Sequence, residues 1–262
     1  MRKGWFNNLQ SLLERGETED LESALVLASF HIDHSAEKGV ALKLILDGVG
    51  KNIPIPYIIG YTLICGVKIT ISKDVLNPGP ETVSLIKEAV KCISKSSSPK
   101  ILDLCTGSGT VAVTLARRCK GSNVTATDIS EKALVIAKGN ASENKVVVDF
   151  LLGNLFEPVT GKKFDFIVTN PPYVKSDAVC LLPSFVRDFA PLTAIDGGKD
   201  GLFFHRAILS QAKRFLHSDG SLFIECEDNQ DKDVEKLALQ FGWEINSRFP
   251  NRHGKVRGYR LI

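Results

Sequence analysis

This 262-residue chain lacks an apolar run long enough to cross a bilayer as a helix. Its most apolar region, Ile53 to Ile71, is broken by Pro54, Pro56 and Lys68, whereas a spanning helix needs about 20 apolar residues. The N-terminus, Met1-Arg2-Lys3-Gly4-Trp5-Phe6-Asn7, has no apolar core of the kind a secretory signal carries. The six cysteines (Cys65, Cys92, Cys105, Cys119, Cys180, Cys226) include no C-x-x-C pair, which argues against a zinc site or a disulfide framework. Buried free thiols in a reducing compartment are expected instead. His31 and His34 lie three apart with no third ligand, so they read as a helix face and no metal site is expected. A long basic run is also missing. The net charge is +3 with both signs interspersed, which does not argue for direct nucleic-acid binding. Lys162-Lys163 and the segment from Arg248 to Arg257 are its most basic stretches, and neither is interleaved with aromatics in the manner of a nucleic-acid surface. No internal repeat or low-complexity tract occurs. The expectation is a soluble, cytoplasmic, monomeric globular protein that does not contact membranes.

What is present is a pattern that changes partway along the chain. Hydrophobic content of 44% and charged content of 24% are those of an ordinary globular protein. Leu9, Leu12 and Leu13, then Leu21, Ala24, Leu25 and Leu27, then Val40 to Leu46 recur at helical spacing, predicting three short helices. Pro54 and Pro56 end that region. Tyr57 to Gly60 and Tyr61 to Ser72, rich in Ile, Val, Thr and Tyr, predict a β-hairpin or two short strands joining two domains. Asn77-Pro78-Gly79-Pro80 is a turn before a helix over Glu81 to Ile93.

From Lys100 onward strands and helices alternate. Strands are predicted at Ile101–Leu104, Val124–Thr127, Val146–Leu152, Phe164–Thr169 and Ser221–Glu225. Helices are predicted at Thr110–Arg118, Glu131–Asn140, Gly201–Leu216 and Asp231–Phe241. Two final strands, Trp243–Phe249 and Lys255–Ile262, follow one another directly. Such alternation predicts a mostly parallel sheet covered on both faces. The consecutive last strands predict one antiparallel edge.

The chemistry-bearing residues fall at the ends of those strands. Asp103-Leu104-Cys105-Thr106-Gly107-Ser108-Gly109-Thr110 links the first strand of the alternation to its helix. Gly107 and Gly109 allow a tight turn and close approach of a ligand, and the helix N-terminus offers free N–H groups. The loop is neither a P-loop nor a full dinucleotide fingerprint. Asp128 ends the next strand about 20 residues on, where an acidic residue binds ribose hydroxyls. Asn154 ends the third, where an amide suits an adenine edge. Asn170-Pro171-Pro172-Tyr173 follows the fourth. Proline fixes φ and donates no N–H, so this turn is rigid and its carbonyls are free to accept. With the Asn170 oxygen, it offers two fixed acceptors beside an aromatic ring, an arrangement suited to a planar NH2 group. Asp103, Asp128, Asn154 and Asn170 thus converge on one edge of a sheet, as a ligand site requires.

In this order the motifs resemble those of the class I S-adenosylmethionine-dependent methyltransferases. More narrowly, the chain resembles the release factor glutamine methyltransferase family from about Ile53 to its C-terminus. The resemblance includes Pro56-Tyr57-Ile58-Ile59-Gly60, Leu76-Asn77-Pro78-Gly79-Pro80-Glu81-Thr82, the glycine loop and the Asn-Pro-Pro-Tyr turn. It continues through Leu192 to Leu202, a stretch that methyltransferases do not generally share. Departures from the family pattern are Gly79 where arginine is usual, Asn154 where aspartate is usual, and Cys226 where glycine is usual.

The resemblance implies a Rossmann-like α/β fold with a seven-stranded, mostly parallel sheet and an antiparallel edge strand. It implies a helical substrate-docking domain at 1–54, a hairpin connector at 55–76 and a methyltransferase domain at 77–262. It implies S-adenosylmethionine as cofactor, bound by Asp103, Thr106, Gly107, Gly109, Asp128, Asn154 and Asn170. Asn170, Pro171 and Tyr173 would be catalytic. The same three with Pro172, Glu81 and Thr82 would bind the substrate, the glutamine of a Gly-Gly-Gln loop in a peptide chain release factor. Tyr173 would pack on the substrate amide or face the cationic sulfonium. A nucleic-acid amino methyltransferase and a glutamine methyltransferase acting on a ribosomal protein remain open, because an exocyclic NH2 and an amide pose the same chemical problem.

Overall fold

The structure is a computed structural model that describes residues 9–10, 21–251 and 253–262. Leu9 lies in a helical stretch, while Leu12 and Leu13 fall outside the described residues. Two helices, α1 (Leu21–His34) and α2 (Lys38–Val49), follow. They bury Leu25, Ala28, Ile32, Ala41 and Ile45, together with Leu9 and Ile55, in a core of their own. His31 Nδ1 is hydrogen-bonded to the Tyr61 hydroxyl at 3.2 Å, and His34 Nδ1 to the Phe30 carbonyl.

The strand expected at Tyr57–Gly60 is instead the end of a short helix, α3 (Ile55–Ile59). Pro54 and Pro56 fall at its first turn, where a missing N–H costs nothing. Gly60, at φ 79°, terminates it in the left-handed conformation that glycine adopts without penalty. The hairpin itself forms from β1 (Tyr61–Ile64) and β2 (Val67–Thr70). A long helix, α4 (Pro80–Ile93), leads into the main sheet.

That sheet has seven strands in the order β5-β4-β3-β6-β7-β9-β8. The strands are β3 (Lys100–Leu104), β4 (Asn123–Asp128), β5 (Asp149–Leu152), β6 (Phe164–Thr169), β7 (Leu216–Glu225), β8 (Ile245–Pro250) and β9 (Val256–Leu261). β3 pairs parallel with β4 and β6, β4 with β5, and β6 with β7. Antiparallel pairing is confined to one edge, where β9 lies between β7 and β8. The reversed strand is therefore the second from the edge.

Alternate residues of each central strand feed opposite layers, as the period of two demands. Leu102, Ile167, Leu222 and Ile224 pack beneath α8 (Phe203–Gln211) and α9 (Asp231–Gln240). Ile101, Val168 and Phe223 pack against α4 and α5 (Thr110–Arg118). Burial on both faces explains why these strands read as continuous apolar runs. The remaining helix of the alternation, α6 (Glu131–Glu143), covers β4 and β5, and a single helical turn, α7 (Ser184–Arg187), lies between β6 and α8 in the chain.

The hairpin packs on the helical core through Tyr61 and Leu63 and on the sheet domain through β2. Val67, Ile69 and Ile71 share a cluster with Val113, Ala133 and Ala141. Fully buried Asn140 of α6 closes the contact. Its Oδ1 accepts from Thr70 N at 2.7 Å, and its Nδ2 donates to the Thr70 and Ser108 carbonyls. All six cysteines are free. Only Cys119 and Cys226 are buried as expected, and Cys180 is exposed. Among the described residues no helix is long and apolar enough to cross a membrane.

Candidate active site

Strand order reverses at β3, whose two neighbours connect onward in opposite directions. In an open α/β sheet, ligands bind outside the carboxyl ends of the strands at such a point. A cavity of about 540 Å³ opens there. The loops after β3 and β6 lie side by side above it, because Leu104 is registered against Thr169. The Thr169 hydroxyl donates to the Leu104 carbonyl at 2.9 Å.

The glycine loop is held by two carboxylates. Asp103 Oδ2 accepts from the Thr106 hydroxyl at 2.6 Å and from Ala112 N at 3.0 Å, so it bridges the loop to the first turn of α5. Burial pushes its carboxyl up to about 7, against the pull of those two donors. Asp128 Oδ2 accepts from Gly107 N at 2.7 Å, and Oδ1 from Ser130 N at 2.9 Å. Burial raises this carboxyl as well, opposed by the same backbone donors. Each ionised oxygen has more than one lone pair, so Asp128 retains acceptor capacity toward the cavity.

Of the sequence-predicted residues, Thr82, Asp103, Thr106, Gly107, Asp128, Asn154, Asn170 and Pro172 line the cavity. Glu81, Gly109, Pro171 and Tyr173 do not. Gly109 packs closely: its φ is 78°, and a Cβ there would lie 2.9 Å from that of Ala137. Pro171 is buried, and its carbonyl accepts no hydrogen bond from the described residues.

Tyr173 turns away from the cavity. Its hydroxyl donates to Glu225 Oε1 at 3.4 Å and accepts from Arg257 at 2.9 Å, and the Arg257 guanidinium lies 5.5 Å from its ring centre. A cation does meet this ring, but it is the protein's own arginine. The hydroxyl end of Tyr173 is thus engaged within the protein. A phenol that can reach a carboxylate and a guanidinium through the sheet edge has more to gain there than at a solvent-open mouth.

The segment Leu192 to Leu202 is what holds the Asn-Pro-Pro-Tyr turn in place. Val174 N donates to the Ile195 carbonyl, and Gly197 N to the Val174 carbonyl at 2.8 Å. Gly197 and Gly201 press on the Tyr173 backbone so closely that neither position has room for a Cβ. Leu192, Thr193, Ala194 and Asp196 also line the cavity. Sequence reasoning missed Asp74, Val75, Leu76 and Pro78, which supply another part of the wall. The Tyr57 hydroxyl fixes that stretch by donating to the Val75 carbonyl and accepting from Asn77 N.

The lining carries four carboxylates, Asp74, Asp103, Asp128 and Asp196, and no lysine, arginine or histidine. That electrostatic character suits a cationic ligand and disfavours a phosphate-bearing one.

The methyltransferase small domain family matches residues 85–188 of the chain. A release factor glutamine methyltransferase of Thermodesulfovibrio yellowstonii is 36% identical over 215 residues, covering 80% of this chain and 77% of that protein. The release factor glutamine methyltransferase of Agrobacterium fabrum is 35% identical, covering 80% of this chain and 74% of its own length. Among solved structures, the 16S rRNA N2 G1207 methyltransferase of Thermus thermophilus, in complex with AdoMet and guanosine, shares the fold. Its TM-score is 0.54 at 17% identity, over 77% of this chain and 49% of that one. With the relatives aligned over four-fifths of its length, the chain belongs to the release factor glutamine methyltransferase family.

Proposed function

We propose that this chain is a protein-glutamine N5-methyltransferase, moving a methyl group from S-adenosylmethionine to the glutamine amide of a release factor Gly-Gly-Gln loop. The observation that carries the reading is the Asn170 side chain. It lines the cavity while its Nδ2 donates to Thr82 Oγ1 at 3.1 Å, which leaves Oδ1 as the acceptor available to a substrate.

The acidic lining fits S-adenosylmethionine, whose bound form supplies a methyl group on a cationic sulfonium. Asp128 would take the ribose hydroxyls, Asn154 the adenine edge, and Asp103, Thr106 and Gly107 the side nearest the glycine loop. Asn154 is exposed at the end of β5, and an amide offers an adenine both an acceptor and a donor.

An amide nitrogen is a weak nucleophile, because its lone pair is delocalised into the carbonyl. The work of the protein is therefore to hold that nitrogen in line. Asn170 Oδ1 would accept one N–H and the Pro171 carbonyl the other, with the lone pair directed at the methyl group. Positioning of this kind removes up to about 7–11 kcal/mol of barrier in the best cases. The proton leaves after transfer, so no strong base is needed at the nitrogen beforehand.

The region 1–54 is proposed to dock the protein substrate, with 55–76 as connector and 77–262 as the methyltransferase domain. Its separate core supports this reading. So do two exposed apolar pairs at i,i+4 spacing, Val26 with Phe30 on α1 and Val40 with Leu44 on α2.

The deciding experiment incubates the full chain and S-adenosylmethionine with a release factor, a ribosomal protein and RNA, and locates the methyl group by mass spectrometry. Methyl on the release factor glutamine is expected. Methyl on RNA alone overturns the reading.

A further inference from the structure

The Asn170-Pro171-Pro172-Tyr173 turn is held at both ends. On its N-terminal side β6 fixes it, through the pairing of Thr169 with Leu104. On its C-terminal side two residues from beyond β7 meet on Tyr173, and the reading above uses neither. Both are buried. Gln230 Nε2 donates to the Tyr173 carbonyl at 2.9 Å. Arg257 of β9 donates to the Tyr173 hydroxyl at 2.9 Å and is held in turn by Asp228 at 3.2 Å. One residue is thus fixed by its backbone and by the tip of its side chain.

Gln230 stands immediately before α9, a position where a polar side chain often caps the helix. Its side chain makes no such cap and reaches across to the turn instead. Its Oε1 accepts from Glu227 N at 3.4 Å, which leaves Nε2 toward Tyr173. A carbonyl can only accept, so this sense of the amide is the one that bonds. Gly201 packs on both partners: a Cβ there would collide with Gln230 Nε2 and with the Tyr173 carbonyl oxygen. The bond therefore sits where nothing can shift to replace it. The Pro171 carbonyl, by contrast, accepts no hydrogen bond from the described residues. The protein occupies the carbonyl after the two prolines and leaves open the one proposed to meet the substrate nitrogen.

The prolines give this hold its reach. Each fixes its own φ, and the residue before each is confined to extended backbone. A displacement at Tyr173 is passed back to Pro171 and Asn170, because the backbone between them has little freedom to absorb it.

We propose that Gln230 and Arg257 are positioning residues for methyl transfer, clamping Tyr173 so that Asn170 Oδ1 and the Pro171 carbonyl keep their places opposite the substrate nitrogen. The inference rests on the methyl-transfer reading of Asn170 and extends it to two residues that do not line the cavity.

The test compares Gln230→Met and Asn170→Ala in the full chain. Methionine keeps the length of glutamine and removes its hydrogen-bonding amide. Methylation of an intact release factor is followed at saturating S-adenosylmethionine. Calorimetry gives cofactor affinity and the number of binding-competent sites, to which kcat is normalised. Gln230→Met is expected to lower kcat by about 10- to 100-fold, the scale of loss caused by small misplacements of a reacting group. Cofactor affinity and KM for the release factor stay at their wild-type values. A glutamine that served the fold alone would reduce the number of competent sites and leave normalised kcat unchanged, which overturns the inference. Unchanged kcat in Gln230→Met beside an inactive Asn170→Ala leaves the Asn170 reading standing, whereas unchanged kcat in both variants overturns that reading as well. A loss of cofactor affinity as large as the loss of kcat also overturns the inference. If Gln230→Met binds no cofactor, Tyr173→Phe decides, since it keeps the ring and releases Arg257. A normalised kcat lowered about 10-fold or more in that variant supports the clamp, and an unchanged one overturns it.

Discussion

The backbone N–H of Gly107 donates to Asp128 Oδ2 at 2.7 Å, joining the glycine loop after β3 to the end of β4. Asp128 thus has two tasks. It presents a carboxylate to the cavity and sets the height of the loop that forms the opposite wall. Gly107 reaches it through a backbone φ of 55°, a left-handed conformation that glycine adopts at little cost.

Asp128→Ala should therefore weaken the cofactor in two ways at once, through lost acceptors and a loosened loop. Hydrogen bonds to charged groups are worth about 1.5–3 kcal/mol each, so affinity for S-adenosylmethionine is expected to fall at least about 10-fold. Calorimetric titration measures it. At saturating cofactor kcat should recover most of its value, because Asp128 does not touch the accepting nitrogen. A variant with wild-type cofactor affinity would remove Asp128 from the site.

Gly197→Ala tests whether the segment Leu192 to Leu202 positions the Asn-Pro-Pro-Tyr turn. A Cβ at 197 would lie 2.6 Å from Tyr173 Cα and 2.8 Å from the Gly201 carbonyl, and neither is the end of a flexible side chain. The turn must shift. Misplacement by about 1 Å costs on the order of 100-fold in rate. The expected result is a kcat lowered on that scale in a variant that still binds S-adenosylmethionine. Unchanged kcat would mean that the segment does not set the turn.

The parts of this site legible from sequence are those whose chemistry and chain position coincide. Asp128, Asn154 and Asn170 each follow a strand recognisable from its apolar run, so the sheet alone brings them together. The direction of Tyr173 is not legible in sequence, because its partner Arg257 is 84 residues away and arrives on β9. Glu225 carried no signal at all: a glutamate closing a strand looks like a solvated end until the fold buries it. Tyr57 to Ile59 has strand-like composition, yet the prolines at 54 and 56 start a helical turn there. In that short stretch local backbone restriction outweighs side-chain propensity.

The docking role proposed for the helical region predicts a separation of effects. A double substitution, Val40→Glu with Leu44→Glu, places charge on one exposed face of α2, where the native side chains are 62% and 50% exposed. Neither supports the core, so the fold should tolerate both. Burying one such side chain in an interface is worth about 1.5–3 kcal/mol. KM for an intact release factor should rise about 10-fold or more, with turnover of a short Gly-Gly-Gln peptide unchanged. Equal kinetics on both substrates would place docking elsewhere.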